Sequence, residues 1–462
     1  MKKIGKYEIC GLLGKGAMST VYKVRFPKFG KIVALKLLSP HPHLVGSLGM
    51  EEIKERFVTE AMTMASLRHP NIASIWDFDE TEGRPFLVME YYCNNLGLII
   101  GETYQIEDPS RALTLDKTVH YLRQILAGLI RLHQAGIIHR DIKPYNILVT
   151  DEDTVKISDF AFSKLRGEVW KPPPNLMVGS PCYAAPEQEQ DPDGVDVRAD
   201  IYSMGVMSHR MLTGKSPEET GIRASEFHPD LTKEWDSFLT RAVAQERRDR
   251  FASSAEMLKA LEQLAADWEE RKERICSIAP PLPPTKKDKR DSKRILRAQS
   301  IKVRPRQARE VFQLDQLWRP RHYVNNDFKE HDDATVTDRV TGLVWQQDGS
   351  DFPMTWNEAQ VYVQRLNSEH FAGRSNWRLP TVTELSSLLT ETSHIADLCI
   401  EPIFSQEKRW LWSADLRSFV AAWYVSVDMG FVSWQDFSCY FFVRAVCSDS
   451  FGDFAKVVPE DH

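Results

Sequence analysis

The chain has 462 residues, of which 42 % are apolar and 27 % are charged. This length provides material for more than one hydrophobic core, and the composition excludes a globally disordered chain. The formal charge of −6 is too small to indicate binding to nucleic acid or to a membrane surface. Seven cysteines without a regular pattern favour a reducing compartment. No apolar segment is long enough for a secretory signal or a membrane span, so we expect a cytoplasmic protein.

The first motif is a glycine-rich turn between two β-type segments. It runs from Leu13 through Gly14 and Gly16 to Val21, and Ser19 stands where a third glycine would complete the pattern. Glycines let the backbone fold closely over phosphate groups and present N–H groups to them. A plain hairpin would use the same residues, so the turn alone is weak evidence for a nucleotide site.

Two charged residues downstream strengthen this interpretation. Ala34 and Lys36 belong to a Val-Ala-Leu-Lys strand twenty residues after Gly16, which would place an ammonium group beneath the turn. Residues 56–67 have helical apolar spacing and carry Glu60. A pair between Glu60 and Lys36 would direct the ammonium towards the nucleotide, although Glu60 could also be a surface charge.

The most informative string runs from residue 138 to residue 149. In it Asp141 could accept the proton of a substrate hydroxyl, and Lys143 could offset charge that develops on a transferring phosphoryl group. Asn146 and Asp159, thirteen residues apart, would supply oxygen ligands to Mg²⁺. A chance hairpin with this many polar residues at this spacing is improbable.

These motifs, in this order, resemble the eukaryotic-like protein kinases, and most closely the bacterial serine/threonine kinases. The resemblance covers residues 1–265 and implies a bilobal α+β fold, ATP and Mg²⁺ or Mn²⁺ as cofactors, and serine or threonine hydroxyls of protein substrates as acceptors. It also implies that Glu90 and Tyr91 form the hinge that binds adenine. Asp200 would brace the catalytic loop, and Glu187 would pair with Arg250 at the end of the activation segment.

Two departures from the family pattern leave an alternative open. The metal-binding aspartate is followed by Phe160 and Ala161, where the family has a glycine in place of the alanine. Within the activation segment, residues 162–179 contain no threonine and one serine, Ser163, while Ser180 belongs to the end of the segment. We expect an active serine/threonine kinase, and the alternative is a nucleotide-binding pseudokinase scaffold.

A basic stretch follows the catalytic motifs. Residues 271–321 contain 16 Lys or Arg against 5 Asp or Glu, and six prolines, which together oppose a packed core. We predict a linker over 269–321 that is either a solvated spacer or a segment that binds an acidic partner or an acidic face of its own protein. Arg297 lies three residues before Ser300, which makes Ser300 a candidate autophosphorylation site. Arginine-rich segments also contain this spacing by chance.

The last region holds seven of the twelve tryptophans. Its Thr-Gly-Leu-Val-Trp345, Trp377-Arg-Leu-Pro-Thr and Trp412-Ser elements resemble the Lcl C-terminal domain family, which is akin to C-type-lectin-like and formylglycine-generating-enzyme folds. This resemblance implies a small α+β module that binds an unidentified ligand or surface. A third hypothesis is therefore a binding protein that acts through this module and is regulated by the kinase domain. Its tryptophans could stack on sugars, but Trp345 and Trp377 are better candidates for the core.

The predicted organisation is therefore a kinase domain over 1–268, the linker over 269–321, the Lcl-like domain over 322–450 and a tail over 451–462.

Overall fold

The computed structural model describes residues 2–103, 108–160, 163–165, 180–221, 223–278, 294–391 and 398–448. The chain divides into two compact units, Met1–Ile278 (unit 1) and Ala279–His462 (unit 2). Both units combine helices with sheets, which confirms the predicted α+β class. Among the described residues, no helix is both long and apolar enough to cross a bilayer.

The first part of unit 1 is an antiparallel sheet with two helices. Its elements are β1 (Lys3–Ile4), β2 (Tyr7–Lys15), β3 (Ser19–Arg25), β4 (Ile32–Leu38), α1 (Pro42–Leu48), α2 (Met50–Ser66), β5 (Ile75–Thr81) and β6 (Arg84–Glu90). The strands pair in the order β1-β2-β3-β4-β6-β5. Tyr7, Val33, Leu35 and Phe86 belong to the core of this sheet.

Helix α2 carries one of the predicted site residues into the interior. It begins at Met50, earlier than the apolar spacing of 56–67 indicated, and ends at Ser66 before Pro70, which disfavours helix in the preceding residue. Glu51 and Glu52 stabilise its first turn through the helix dipole. One face of the helix is buried, and it consists of Ile53, Phe57, Glu60, Ala61 and Met64. Glu60 is therefore held on the core side, which requires a charged or polar partner.

The second part of unit 1 is mainly helical. Its elements are β7 (Asn94–Asn95), α3 (Leu96–Ile100), α4 (Leu115–Gln134), β8 (Ile137–Ile138), β9 (Ile147–Val149), β10 (Val155–Ile157), β11 (Lys164–Leu165), α5 (Glu187–Gln190), α6 (Arg198–Thr213), α7 (Pro217–Thr220), α8 (Lys233–Ala242) and α9 (Ser254–Ile278). Helix α6 is buried along most of its length. A Cβ on Gly205 would lie 2.7 Å from the Cβ of Ala242, so the glycine permits the close approach of α6 and α8.

The described residues of unit 2 form two antiparallel sheets and three α-helices. Its elements are α10 (Pro305–Val311), β12 (Phe328–Glu330), β13 (Thr335–Asp338), β14 (Leu343–Gln346), α11 (Trp356–Ser368), α12 (Val382–Ser387), β15 (Trp410–Leu416), β16 (Ala421–Ser426), β17 (Phe431–Asp436) and β18 (Val446–Ser448). The sheet orders are β12-β13-β14-β18 and β15-β16-β17. Trp345 and Trp377 are buried, which confirms their predicted place in the core.

The predicted linker boundaries of 269–321 were wrong at both ends. Helix α9 continues to Ile278, and at the other end Val303, Ala308, Phe312 and Leu314 belong to the core of unit 2. The basic side chains concealed this packing, because they alternate with apolar residues that face inward. Of the predicted linker, residues 279–293 lie outside the described residues.

Candidate active site

A partly buried cluster of three charges links the sheet of unit 1 to α2 and to the chain after β10. The Lys36 ammonium on β4 donates to Glu60 Oε1 at 2.7 Å and to Asp159 Oδ1 at 2.8 Å. Lys36 and Glu60 are only 5 % and 3 % exposed, whereas the Asp159 side chain is 42 % exposed. The predicted pair between Lys36 and Glu60 is therefore present, and Asp159 shares the same ammonium from the more open side.

The two carboxylates of this cluster differ in their proton affinity. Burial raises the pKa of Glu60, and Lys36 opposes this rise only in part. Burial acts in the same direction on Asp159, but the charge and hydrogen bond of Lys36 outweigh it and lower the pKa of Asp159 to about 2. Asp159 is consequently ionised at neutral pH, as an oxygen ligand of a divalent cation must be.

A second polar cluster surrounds Asp141. Lys143 Nζ donates to Asp141 Oδ2 at 2.8 Å, and Asn146 Nδ2 donates to the same oxygen at 3.0 Å. The Ser180 hydroxyl donates to Asp141 Oδ1 at 2.9 Å and accepts from Lys143 Nζ at 2.7 Å. An aliphatic hydroxyl thus lies between a carboxylate and an ammonium group. Ser180 was assigned to the activation segment from the sequence, but this contact was not predicted.

The hairpin of β9 and β10 brings Asn146 and Asp159 to one end. Its register pairs Ile147 with Ile157, and the next rung is the bond from Ser158 N–H to Asn146 O at 2.9 Å. Asp159 follows immediately and has the left-handed φ of 65°. Asn146 uses its amide N–H group on Asp141, which leaves its side-chain oxygen as an acceptor. One carboxylate and one amide oxygen, with phosphate oxygens, form a donor set that fits Mg²⁺ or Mn²⁺.

The strand register aligns the predicted nucleotide-binding residues of the sheet. Val21 lies opposite Lys36, and Ala34 lies opposite Met89, the residue before Glu90. Because Ala34 and Lys36 are two residues apart on β4, they share one face of the sheet with Val21. Ser19, at the start of β3, is buried.

The glycine-rich turn has open space beside Gly14. Gly16 N–H bonds to Ser19 O at 2.8 Å and closes the turn, and Leu13 is 42 % exposed. A Cβ on Gly14 would have no neighbour within 4 Å, and neither Gly14 nor Gly16 has a positive φ. The fold itself therefore does not require glycine at these two positions.

The predicted hinge lies at the end of β6. The Glu90 side chain is occupied by the protein itself, because it accepts from Lys31 Nζ at 3.1 Å and from the Tyr92 hydroxyl at 2.8 Å. An adenine contact at Glu90 and Tyr91 would therefore involve backbone groups.

Asp200 at the start of α6 holds the backbone directly before Asp141, as predicted for the catalytic loop. Its carboxylate accepts the N–H groups of His139 at 2.9 Å and of Arg140 at 2.8 Å, and it lies 2.8 Å from His133 Nε2. Burial raises the pKa of Asp200, but the bonds to His133 and the nearby imidazole groups outweigh burial and lower it. Arg140 adopts the left-handed φ of 63°, which Asp200 helps to maintain directly before Asp141.

A buried ion pair lies at the end of the predicted activation segment. Arg250 donates to Glu187 through two nitrogens, at 2.6 and 2.9 Å. Its guanidinium also donates to backbone carbonyls, including Arg198 O at 3.1 Å. Glu187 thereby connects α5 to the region that precedes α9. Of the other predicted residues in this segment, Ala161 lies outside the described residues.

A further polar network near Ser180 was missed by the sequence reasoning. The Tyr183 hydroxyl donates to Glu102 Oε1 at 2.5 Å, and Arg210 Nε lies 3.4 Å from the same carboxylate. Tyr145 donates to Glu102 O at 2.6 Å. Burial raises the pKa of Glu102. No local pattern joins these residues, since they are 27 to 108 positions apart in the chain.

Comparison with known proteins gives two family matches. Residues 7–275 match the protein kinase domain, and residues 334–447 match the Lcl C-terminal domain.

Similar curated proteins carry kinase names. The chain is 34 % identical over 214 residues to a probable serine/threonine-protein kinase, pknA2, of Bifidobacterium longum, which covers 46 % of the chain and 27 % of that relative. It is 32 % identical over 285 residues to the serine/threonine-protein kinase Pkn1 of Myxococcus xanthus, covering 57 % and 39 %. The crystal structure of the PknI kinase domain of Mycobacterium tuberculosis is 28 % identical, with a TM-score of 0.44, and covers 57 % of this chain and 97 % of that one.

The chain thus spans less than half the length of these two curated relatives. The kinase match nevertheless extends over more than half of the chain and contains both polar clusters described above. The chain belongs to the protein kinase family.

Proposed function

We propose that unit 1 is a serine/threonine protein kinase that transfers the γ-phosphate of ATP to hydroxyl groups of protein substrates. The observation that carries this proposal is the placement of the Ser180 hydroxyl between Asp141 and Lys143, at 2.9 and 2.7 Å. A site that already holds one aliphatic hydroxyl between a carboxylate and an ammonium group suits a second hydroxyl as the phosphate acceptor.

In this proposal, each residue acts from the position described above. Asp141 orients the substrate hydroxyl and accepts its proton, while Lys143 offsets negative charge near the transferred group. Lys36, fixed by Glu60, binds phosphate oxygens beneath the glycine-rich turn. Asn146 and Asp159 would hold Mg²⁺ or Mn²⁺, and the bound cation neutralises the phosphate groups. Leu13, Val21 and Ala34 would contact the nucleotide base, next to the hinge.

Phosphate transfer from radiolabelled ATP to a generic basic protein tests the proposal. The full chain should label the protein, and Asp141→Asn should reduce the initial rate by at least about a hundredfold, in line with loss of a general base. Asp332→Asn, in the loop between β12 and β13 of unit 2, is the matched control and should retain the rate.

Nucleotide binding, measured in parallel, separates the alternative. If the wild-type chain binds ATP with Mg²⁺ but labels no protein above the Asp141→Asn background, it is a pseudokinase scaffold. Equal labelling by wild type and Asp141→Asn would contradict the assignment of Asp141.

We propose further that unit 2 is a sensing or targeting module that binds a ligand or a surface, since its family match points to a separate domain. Its ligand, an acidic partner for the basic segment, and a cytoplasmic location remain predictions. Deletion of the Lcl-like domain tests this role through substrate choice and regulation in cells, and unchanged behaviour of the shortened kinase would refute it.

Ser300 remains a proposed autophosphorylation site, and its surroundings alter the expected consequence. The serine is exposed, but Arg297 is bound to Asp415 through two nitrogens at 2.8 and 2.7 Å. A phosphate on Ser300 would therefore compete with Asp415 for Arg297. Mass spectrometry after incubation with ATP tests the site, and equal occupancy in Asp141→Asn would refute autophosphorylation.

A further inference from the structure

One edge of unit 2 presents two large apolar side chains at the tip of a hairpin. Phe419 and Val420, in the turn between β15 and β16, are 86 % and 62 % exposed. We call this pair the apolar tip. Phe419 is among the most exposed large apolar residues of the described chain, and such exposure costs free energy in water unless a partner covers it.

The apolar tip is held in place by hydrogen bonds. Arg417 and Ser418 both donate backbone N–H groups to Ala421 O, at 2.9 and 3.1 Å. Val420 O accepts from Phe437 N–H at 2.9 Å, which connects the turn to the chain after β17. The exposed side chains therefore project from a fixed backbone and do not belong to a free loop end.

A basic segment lies directly beside the tip. Residues 297–304, which we call the basic strap, run parallel to the end of β15, with Val303 N–H donating to Leu416 O at 2.8 Å and Leu416 N–H to Ile301 O at 2.9 Å. Arg297 and Ile301 N–H both bind the buried carboxylate of Asp415. These contacts fix the strap against the hairpin.

The outward side of the strap is positively charged. Ile301 and Val303 face the protein, whereas Lys302 and Arg304 are exposed, as an extended segment requires. Lys302 Nζ lies 3.2 Å from the centroid of the Phe419 ring. From Arg294 to Arg309 the sequence contains six basic residues and no acidic one. The small net charge of the whole chain conceals this local surplus.

We propose that the apolar tip and the basic strap together dock unit 2 on the surface of an anionic phospholipid bilayer. The basic side chains would approach the lipid phosphates, and Phe419 and Val420 would enter the boundary between headgroups and acyl chains. A DNA duplex or a sulfated glycan would satisfy the charges but offers no hydrocarbon layer in which both apolar side chains could be buried. The combination therefore favours a bilayer.

Flotation of the full chain with vesicles tests this proposal. Vesicles of phosphatidylglycerol and phosphatidylcholine should bind the protein, vesicles of phosphatidylcholine alone should not, and binding should fall as salt rises. Phe419→Ser should weaken binding about tenfold or more, because it removes a large apolar side chain. Lys302→Gln should weaken it about fivefold, the effect of one basic residue near an anionic surface.

Matched controls test whether these effects belong to the docking surface. Phe29→Ser removes a phenylalanine of similar exposure, 84 %, from unit 1, and Lys329→Gln removes an exposed lysine from β12. Both controls should bind vesicles like the wild type.

Three results would overturn the proposal. The first is equal binding of the protein to the two vesicle types. The second is a folded Phe419→Ser variant that binds vesicles as strongly as the wild type. The third is binding of the protein to heparin or to a DNA duplex but not to vesicles. The last result would identify a soluble polyanion as the partner. Each readout is independent of phosphate transfer, so kinase activity and membrane docking are tested separately.

Discussion

Substitution of Lys36 by methionine should make the stability of unit 1 strongly dependent on pH. The change removes the ammonium that Glu60 and Asp159 share at 2.7 and 2.8 Å. Asp159 is partly exposed and can be solvated, but Glu60 is buried and loses its cationic partner. Burial and the negative charge of Asp159 then raise the pKa of Glu60, opposed only by the hydrogen bond from the Phe160 N–H group, and the carboxyl takes up a proton on folding.

The cost of that proton sets the size of the effect. Glu60 has an ordinary pKa of 4.5, and each pH unit above it corresponds to about 1.4 kcal/mol. Protonating the folded form therefore costs at most about 3.4 kcal/mol at pH 7 and about 0.7 kcal/mol at pH 5. Because the pKa of Glu60 is higher in the folded variant than in the unfolded one, the Lys36→Met variant is most stable at low pH and loses stability as the pH rises. The limit at pH 7 agrees with the ~3–5 kcal/mol typical of a broken buried ion pair.

Urea unfolding at pH 5, 6 and 7 measures this dependence. Hydrogen exchange of peptides from α2 would identify the transition that belongs to unit 1. The double variant Lys36→Met/Glu60→Gln is the matched control, since glutamine does not titrate, and its stability relative to wild type should vary less with pH. A cost for Lys36→Met that is the same at pH 5 and pH 7, or an equal slope in the double variant, would refute the reasoning.

Three further predictions concern other parts of unit 1. Ser180→Ala should lower the rate of phosphate transfer, whereas Ser180→Thr, which retains the hydroxyl, should keep most of it. Equal rates for the two variants in steady-state assays would show that the contacts of Ser180 with Asp141 and Lys143 are unimportant. Arg250→Met should reduce the free energy of unfolding by ~3–5 kcal/mol in urea titrations, because it leaves Glu187 buried without its cation. Gly14→Val should raise the KM for ATP with little change in melting temperature, because a Cβ at this position has no protein atom within 4 Å and the added side chain would occupy space that the proposal gives to the nucleotide. A loss of stability with an unchanged KM would contradict that explanation.

Local patterns were sufficient to predict the placement of several site residues. The apolar spacing around Glu60 indicated a helix, and Glu60 lies on its buried face within reach of Lys36. The separation of Asn146 and Asp159 matches a hairpin whose register brings their neighbours together. The buried face of the helix and the register of the hairpin each follow from one element or one pair of adjacent strands, whereas the contact between Glu60 and Lys36 joins a helix to a strand.

Long-range contacts and the linker were harder to predict. Nothing near Ser180 in the sequence indicates that its hydroxyl binds Asp141, because this contact depends on how two distant loops meet. The linker was misjudged because its charge was averaged over 51 residues, whereas Ile301 and Val303 alternate with exposed basic side chains. Charge density indicates solvent exposure only where no periodic apolar face lies beneath it.

The packing of residues 303–314 affects how this protein can be divided for experiments. A cut at residue 322, the boundary indicated by composition, would leave the buried side chains of Val303, Ala308, Phe312 and Leu314 on the kinase fragment. The fragment of unit 2 would then lack part of its hydrophobic core, and the kinase fragment would carry these apolar side chains without the core that covers them. Aggregation of either piece would reflect the position of the cut and say nothing about dependence between the domains. Fragments separated between residues 278 and 294 keep each described core intact.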